Sequence, residues 1–215
     1  MRTNAAAAQP LLEGAEASQR IYALAAAEEQ AENLHFTGAD LSGEALEKMD
    51  FAHCTLESCR FSGTELTGAS FTDCILHGCD FSGAVLLDSF FSKCTFSGCK
   101  LTGANLGECR LRGVDFADSI LTLSGWEGAR WDTVAFSQCN LSEALLTGIV
   151  HKHLTLRDAN LSGACVTGTS LKGLDLRSCT LTNLSAGENL REFRGAIVDM
   201  IGAAELARAF GVHIE

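Results

Sequence analysis

Ten cysteines and six histidines in 215 residues are the side chains best equipped for chemistry. Paired cysteines could form disulfides, and cysteines grouped with histidine at short spacing could hold zinc. The spacing supports neither. No Cys-x-x-Cys pair occurs, and nine cysteines (Cys54, Cys59, Cys74, Cys79, Cys94, Cys99, Cys109, Cys139, Cys179) are separated by multiples of five; Cys165 alone falls out of phase. His151-Lys152-His153 could be half a metal site, but His35, His53, His77 and His213 are scattered. Gly63 and Gly68 imitate a phosphate loop that lacks its Gly-Lys-Ser/Thr. Asn140-Leu141-Ser142 and Asn160-Leu161-Ser162 match a glycosylation pattern only because Asn-Leu-Ser recurs in the same phase; Asn183-Leu184-Ser185 ends it. No nucleophile–base pair and no cofactor motif is found. The sequence predicts a protein that is not an enzyme and needs no cofactor.

The elements that position these residues follow from the phase of five. Every fifth position from Phe36 to Leu181 gives 30 sites: 17 Leu, nine Phe, Trp126, Trp131, Val166 and His151. At 47% hydrophobic composition about 14 of them would be apolar by chance, and 29 are. Two residues before each centre, 24 of 30 sites hold Ala, Cys, Ser, Thr or Val, with Leu34, Glu44, Met49, Ile149, Leu154 and Leu174 as exceptions. Two residues after it lie 14 of the 21 glycines. A period of five fits neither a helix at 3.6 nor a strand at 2. It describes a chain that turns a corner every five residues, with a small and a large side chain inward on each side and glycine easing the corner. Each unit exposes its inner face until another stacks on it, so the chain must coil. The cysteines then act as small buried hydrophobes.

Units such as Ala39-Asp40-Leu41-Ser42-Gly43 and Ala104-Asn105-Leu106-Gly107-Glu108 resemble those of the pentapeptide-repeat family over residues 34–184. The resemblance implies an all-β, right-handed quadrilateral β-helix of about 7.5 coils, some 36 Å long at about 4.8 Å per coil. It divides the chain into an N-terminal extension and helical cap (1–33), the β-helix (34–184) and a C-terminal cap (185–215). The unbroken phase predicts a rod without inserted loops.

Charge restricts the partners. A net charge of −11 disfavours direct nucleic-acid binding and anionic membranes. No window is long and apolar enough to span a bilayer, and the first residues do not read as a signal peptide, so a cytoplasmic protein is expected. With four faces, centres twenty apart share one. The face of Leu46, Leu66, Leu86, Leu106 and Trp126 carries Glu47, Glu65, Asp88, Glu108 and Glu127, with Lys48 its only base and Glu44 at an inner site. The next face, with centres Phe51 to Leu171, carries Asp50, Asp73 and Asp132, then Lys93, Arg110, Arg112, Arg130, Lys152 and Lys172. The acidic row could simply confer solubility, or imitate the charge row of duplex DNA coarsely: one carboxylate per coil against one phosphate per about 3.4 Å.

Both ends of the coil need a cover. Residues 15–33, rich in Ala, Glu and Gln, read as a helical cap interrupted by Ser18, with 1–14 mobile. Residues 199–210 read as an amphipathic helix with Asp199 as N-cap and Gly211 as stop, followed by a strand-like Val212-His213-Ile214. Met200, Ala203, Leu206, Ala207 and Phe210 form its apolar stripe.

This tail resembles that of the Qnr/MfpA-like topoisomerase-protecting group. The resemblance implies a homodimer joined through Met200, Ala203, Leu206, Phe210, Val212 and Ile214, docking by its acidic face (Glu47, Glu65, Asp88, Glu108, Glu127) onto DNA gyrase or topoisomerase IV against a quinolone-like drug or a peptide toxin. The absence of loops matches MfpA rather than Qnr. The alternative is an interaction scaffold, an immunity protein or effector, that uses the basic face (Arg110, Arg112, Arg130) on another partner.

Overall fold

A computed structural model describes residues 9–209 and 211–213. The chain is a parallel β-solenoid of about seven turns in which partners lie twenty residues apart, as in Phe36↔Leu56, Phe51↔Phe71 and Trp131↔His151. Regular strands form on two of its four faces. On the first face, β1 (Leu11–Glu13), β3 (His35–Thr37), β5 (Thr55–Glu57), β7 (Ile75–His77) and β9 (Thr95–Ser97) stack in order. On the fourth, β2 (Ala31–Glu32), β4 (Asp50–Ala52), β6 (Ser70–Thr72) and β8 (Phe90–Ser92) do the same. The two stacks join in β10 (Arg110–Ala117), β11 (Arg130–Ser137) and β12 (Val150–Arg157), which run through the corner. The second and third faces are held by single bridges, such as Asp40↔Arg60 and Ala45↔Glu65.

The three phases predicted from sequence have distinct physical jobs. The centres form the core, with like aromatic rings stacked coil on coil: Phe51 on Phe71 at 4.8 Å, Phe61 on Phe81 at 4.6 Å, and Phe116 on Phe136 at 4.8 Å. Each such pair contributes about 0.5–1.5 kcal/mol beyond its buried area. The small site does more than save space. Its thiol or hydroxyl donates to the carbonyl of the centre one coil back, as from Cys54 to Ala31 (3.2 Å), Cys94 to Phe71 (3.3 Å), Thr64 to Leu41 (2.6 Å) and Ser89 to Leu66 (3.0 Å). Cysteine, serine and threonine therefore interchange there. All ten cysteines are unbridged, and burial pushes the Cys109 and Cys139 thiols up, away from reactive thiolate. The third phase is the corner. From Gly38 to Asn183 every such residue except Ser178 has a positive φ, whether glycine or not, with Asp88 at 54° and Glu108 at 56°. A side chain there costs roughly 1–2 kcal/mol against glycine, which places fourteen glycines at this one phase.

The N-terminal end is more built than the sequence suggests. Residues 9–14, expected to be mobile, are part of the coil: β1 pairs with β3 and adds a rung, Leu12 over Phe36. Helix α1 (Gly14–Ala26) then crosses the open end, burying Ala17, Ile21 and Leu24. It stops well short of residue 33, because Ala31 already occupies the centre phase, buried and paired with Phe51. Ser18, which looked like an interruption, is the fastener: its hydroxyl accepts from the Asp40 amide (2.9 Å) and donates to the Gly14 carbonyl (3.2 Å). Residues 1–8 lie outside the described residues.

The C-terminal helix α2 (Met200–Ala209) follows prediction closely. Asp199 caps it through the Gly202 amide (2.7 Å). It ends in a Schellman turn at Gly211 (φ 77°), with Gly211 donating to Arg208 and Val212 to Ala207. Among the described residues no strand follows at 211–213; Phe210 and Ile214 lie outside them.

Candidate docking surfaces

The third face carries the acidic row because its outward positions are short of bases, not because the acids share a column. Glu47 and Glu127 follow their centres directly and are exposed four coils apart. Asp88 and Glu108 stand on adjacent left-handed corners, also exposed. Glu65 precedes its centre, is half-buried, and accepts from the Thr67 amide at 3.2 Å and from the Thr67 hydroxyl. The row is a zigzag across one face and its edge. Among the described residues none of these five carboxylates has an ion-pair partner within 4 Å. The second face differs: Asp40 pairs with Arg60 at 3.3 Å one coil above. Glu44, assigned by phase to an inner site, is exposed at the rim of the first coil, where no earlier coil encloses it. It lies beside Tyr22, whose phenol is pushed up first by burial and then by Glu44 and Asp40.

Glu108 is seated by its neighbour one coil on. A Cβ at Gly128 (φ 70°) would run into the Glu108 carboxylate, so glycine there makes room for the acid.

The fourth face changes sign along the rod. Toward its N-terminal end Lys93 pairs with Asp73 at 3.5 Å. Beyond it Arg110 and Arg130 are direct ladder partners, with Phe90 below and Val150 above, and Arg112, Asp132 and Lys152 form the parallel column. Arg110, Arg112, Arg130 and Lys152 have no ion-pair partner among the described residues. They rim a shallow hollow of about 360 Å³ floored by Leu111 and Trp131.

The third surface is the C-terminal end. Gly202 is buried against Val198 and Leu181, and Leu206 packs on the core. Met200 (90% exposed), Ile201 (74%) and Ile197 (46%) face outward. The structure thus divides the predicted stripe: Met200 and Ala203 are exposed, whereas Leu206 and Ala207 are half-buried. Ile201 and Ile197 belong to the exposed patch although the helical stripe did not include them; the signal available was the apolar pair Met200-Ile201 at a helix start. Val212 is half exposed, while Phe210 and Ile214 fall outside the described residues. His151, expected to be partly buried and bonded, is half-buried with its ring Nε2 2.5 Å from the Ser170 carbonyl. No cluster of three or more metal-binding side chains occurs among the described residues, and no helix is long and apolar enough to cross a membrane.

A family model described as "Pentapeptide repeat region" matches residues 69–146, and one described as "Pentapeptide repeats (8 copies)" matches 135–173. The solved structure of full-length QnrB1, a plasmid-mediated fluoroquinolone resistance protein, is similar at 21% identity over 86% of this chain and 91% of that one, with a TM-score of 0.46. A trypsin-treated form of QnrB1 gives 20% identity, 96% and 98% coverage and a TM-score of 0.49. HetL, a pentapeptide-repeat protein involved in heterocyst differentiation regulation in the cyanobacterium Nostoc, gives 20% identity, 89% and 87% coverage and a TM-score of 0.25. No curated protein matches the chain.

Proposed function

We propose, for a chain that belongs to the pentapeptide-repeat family, that it is a non-enzymatic DNA mimic which binds a type II topoisomerase, DNA gyrase or topoisomerase IV, and shields it from a quinolone-like drug or peptide toxin. The observation that carries this reading is the row of carboxylates without ion-pair partners among the described residues (Glu47, Asp88, Glu108, Glu127, with Glu65 tied to Thr67) on a face whose only base is Lys48, beside a fourth face that turns basic. A groove built to accept duplex DNA is lined with cations, and a rigid acidic rod enters it without ordering cost. The acids belong to a fixed coil, so their spacing is set before the encounter, and the chemistry is binding alone.

The proposal includes a homodimer formed end to end through Met200, Ile201 and Ile197, with Ala203 at its edge. Two rods so joined would present one acidic row long enough to span a two-fold enzyme. Light scattering should give a chain ending at Val198 half the mass of the full chain.

The deciding experiment is a gyrase supercoiling assay with a fluoroquinolone, run with the protein and with a variant in which Glu47, Asp88, Glu108 and Glu127 are all Lys. The native protein should restore supercoiling, with binding that weakens as salt rises; the reversed variant should not. Equal rescue by both would reject the acidic row as the docking face. No rescue by either would reject the function and favour a scaffold that uses the basic fourth face on another partner.

A further inference from the structure

One stretch of the coil does not close on its neighbour. Everywhere from Leu46 to Leu146 each face bonds to the coil above, with amides reaching carbonyls nineteen residues on, as from Leu66 to Val85. On the second and third faces this continues to the end, through Asn160↔Thr180 and Cys165↔Ser185. On the fourth and first faces it stops at β12, which pairs only with β11. Among the described residues no backbone hydrogen bond joins 150–157 to 170–177. Side chains alone link the two coils here, the His151 ring lying 2.5 Å from the Ser170 carbonyl, with Ile149 donating to the Thr169 hydroxyl and Asp158 to the Ser178 hydroxyl at the two ends. That next segment bonds upward to the tail as other coils bond to the one above, Leu171 to Glu192 and Leu176 to Ile197. Three of the six oversized small-site residues, Ile149, Leu154 and Leu174, fall in these coils, as does His151, the one polar centre. The stretch borders a cleft of about 570 Å³, lined by Leu154, Leu156, Leu174, Arg157 and the Asp175–Arg177 pair.

The opened edge is also the most basic strand of the protein. Lys152 and Arg157 project from β12, with Arg130 below on β11 and Lys172 on the opposite lip, and none has an ion-pair partner among the described residues. Asp132 is engaged by His153 at 3.8 Å, and Asp175 by Arg177. An unpaired strand edge offers donors and acceptors to an extended chain, and its side chains select the sequence.

We propose that the free edge of β12 receives an extended acidic segment of a partner polypeptide, added as a strand, with carboxylates over Lys152, Arg157 and Lys172 and apolar side chains against Leu154 and Leu174. Two independent features, the missing ladder and the unneutralised cations on the same strand, ask for the same ligand. A second copy of this chain fits less well, because among the described residues its acidic row belongs to closed coil and its own free edge, β12, is basic. The site shares no residue with the acidic third face, so its failure would leave the topoisomerase reading intact, and the reverse.

The test uses the full chain and a fluorescein-labelled alternating Glu-Val peptide of about ten residues, read by anisotropy. The peptide should bind, weaken about tenfold with Lys152→Glu plus Arg157→Glu, and weaken with salt; the matching Lys-Val peptide should not bind. Two versions N-methylated at every Val or at every Glu separate strand addition from charge contact, because only one set of amides faces β12. At least one must lose about tenfold in affinity. The amides of His151, His153 and Leu156, which point away from β11, should exchange quickly in the free protein and slow on binding. Undiminished affinity of both N-methylated peptides, binding of the Lys-Val peptide, or His151, His153 and Leu156 amides already protected in the free protein would each overturn the proposal.

Discussion

The two ends of the rod solve the same problem in opposite ways. At the N-terminal end, β1 supplies an extra rung and α1 closes the coil with Ala17, Ile21 and Leu24 fully buried. At the C-terminal end, α2 is anchored by Gly202 and Leu206 while Met200 and Ile201 stay in water. Both helices are amphipathic. The difference lies in what each covers. One apolar stripe is used up by its own chain, and the other remains available to a partner. An end that is finished and an end that is open give the rod a direction.

The comparison breaks if the two helices prove equally important to stability. Leu24→Ala should lower the urea unfolding free energy by about 2–5 kcal/mol, the range for a buried leucine that leaves a cavity. A loss below about 1 kcal/mol would mean that α1 does not close the coil. Next come the fasteners. Ser18→Ala should cost about 1–2 kcal/mol, since it strips the Asp40 amide of its acceptor. Asp199→Ala should cost about 1 kcal/mol as an ordinary lost N-cap; the order of these two, measured by thermal unfolding, sharpens the contrast. The smallest effect belongs to the open end. Met200→Glu with Ile201→Glu should shift stability by no more than about 0.5 kcal/mol, measured below the dimer dissociation range. The same change should halve the mass seen by light scattering at higher concentration. A large loss of monomer stability with unchanged mass would show that this patch is internal cover after all.

A further prediction links the corner to the acidic row. Gly128→Ala should cost about 1–2 kcal/mol for its left-handed backbone and displace the Glu108 carboxylate it faces. Topoisomerase protection should fall with it, whereas Gly103→Ala, an open corner on the second face, should carry the backbone cost alone.

Much of this was legible in the residues because a solenoid makes tertiary contacts periodic. Phase five fixed which side chains are inward, why nine cysteines are packing groups rather than ligands, and where the corners fall. Its exceptions were informative too: Glu44 and Met49 mark the first coil, and Ile149, Leu154 and Leu174 mark the place where coils part. Other features depended on the third dimension. Leu12 lies 24 residues from Phe36 rather than twenty, because α1 intervenes, so no periodicity could assign it a rung. Ser18 reads as a poor helix residue until Asp40 is seen above it. The outward turn of Met200 and Ile201 depends on how α2 leans on Leu181 and Val198. The repeat determined the rod, since each unit repeats one local geometry and one burial requirement. Only the folded structure decided which end is closed, which strand edge is free and which charges lack partners, because those depend on contacts made once rather than on contacts made at every turn.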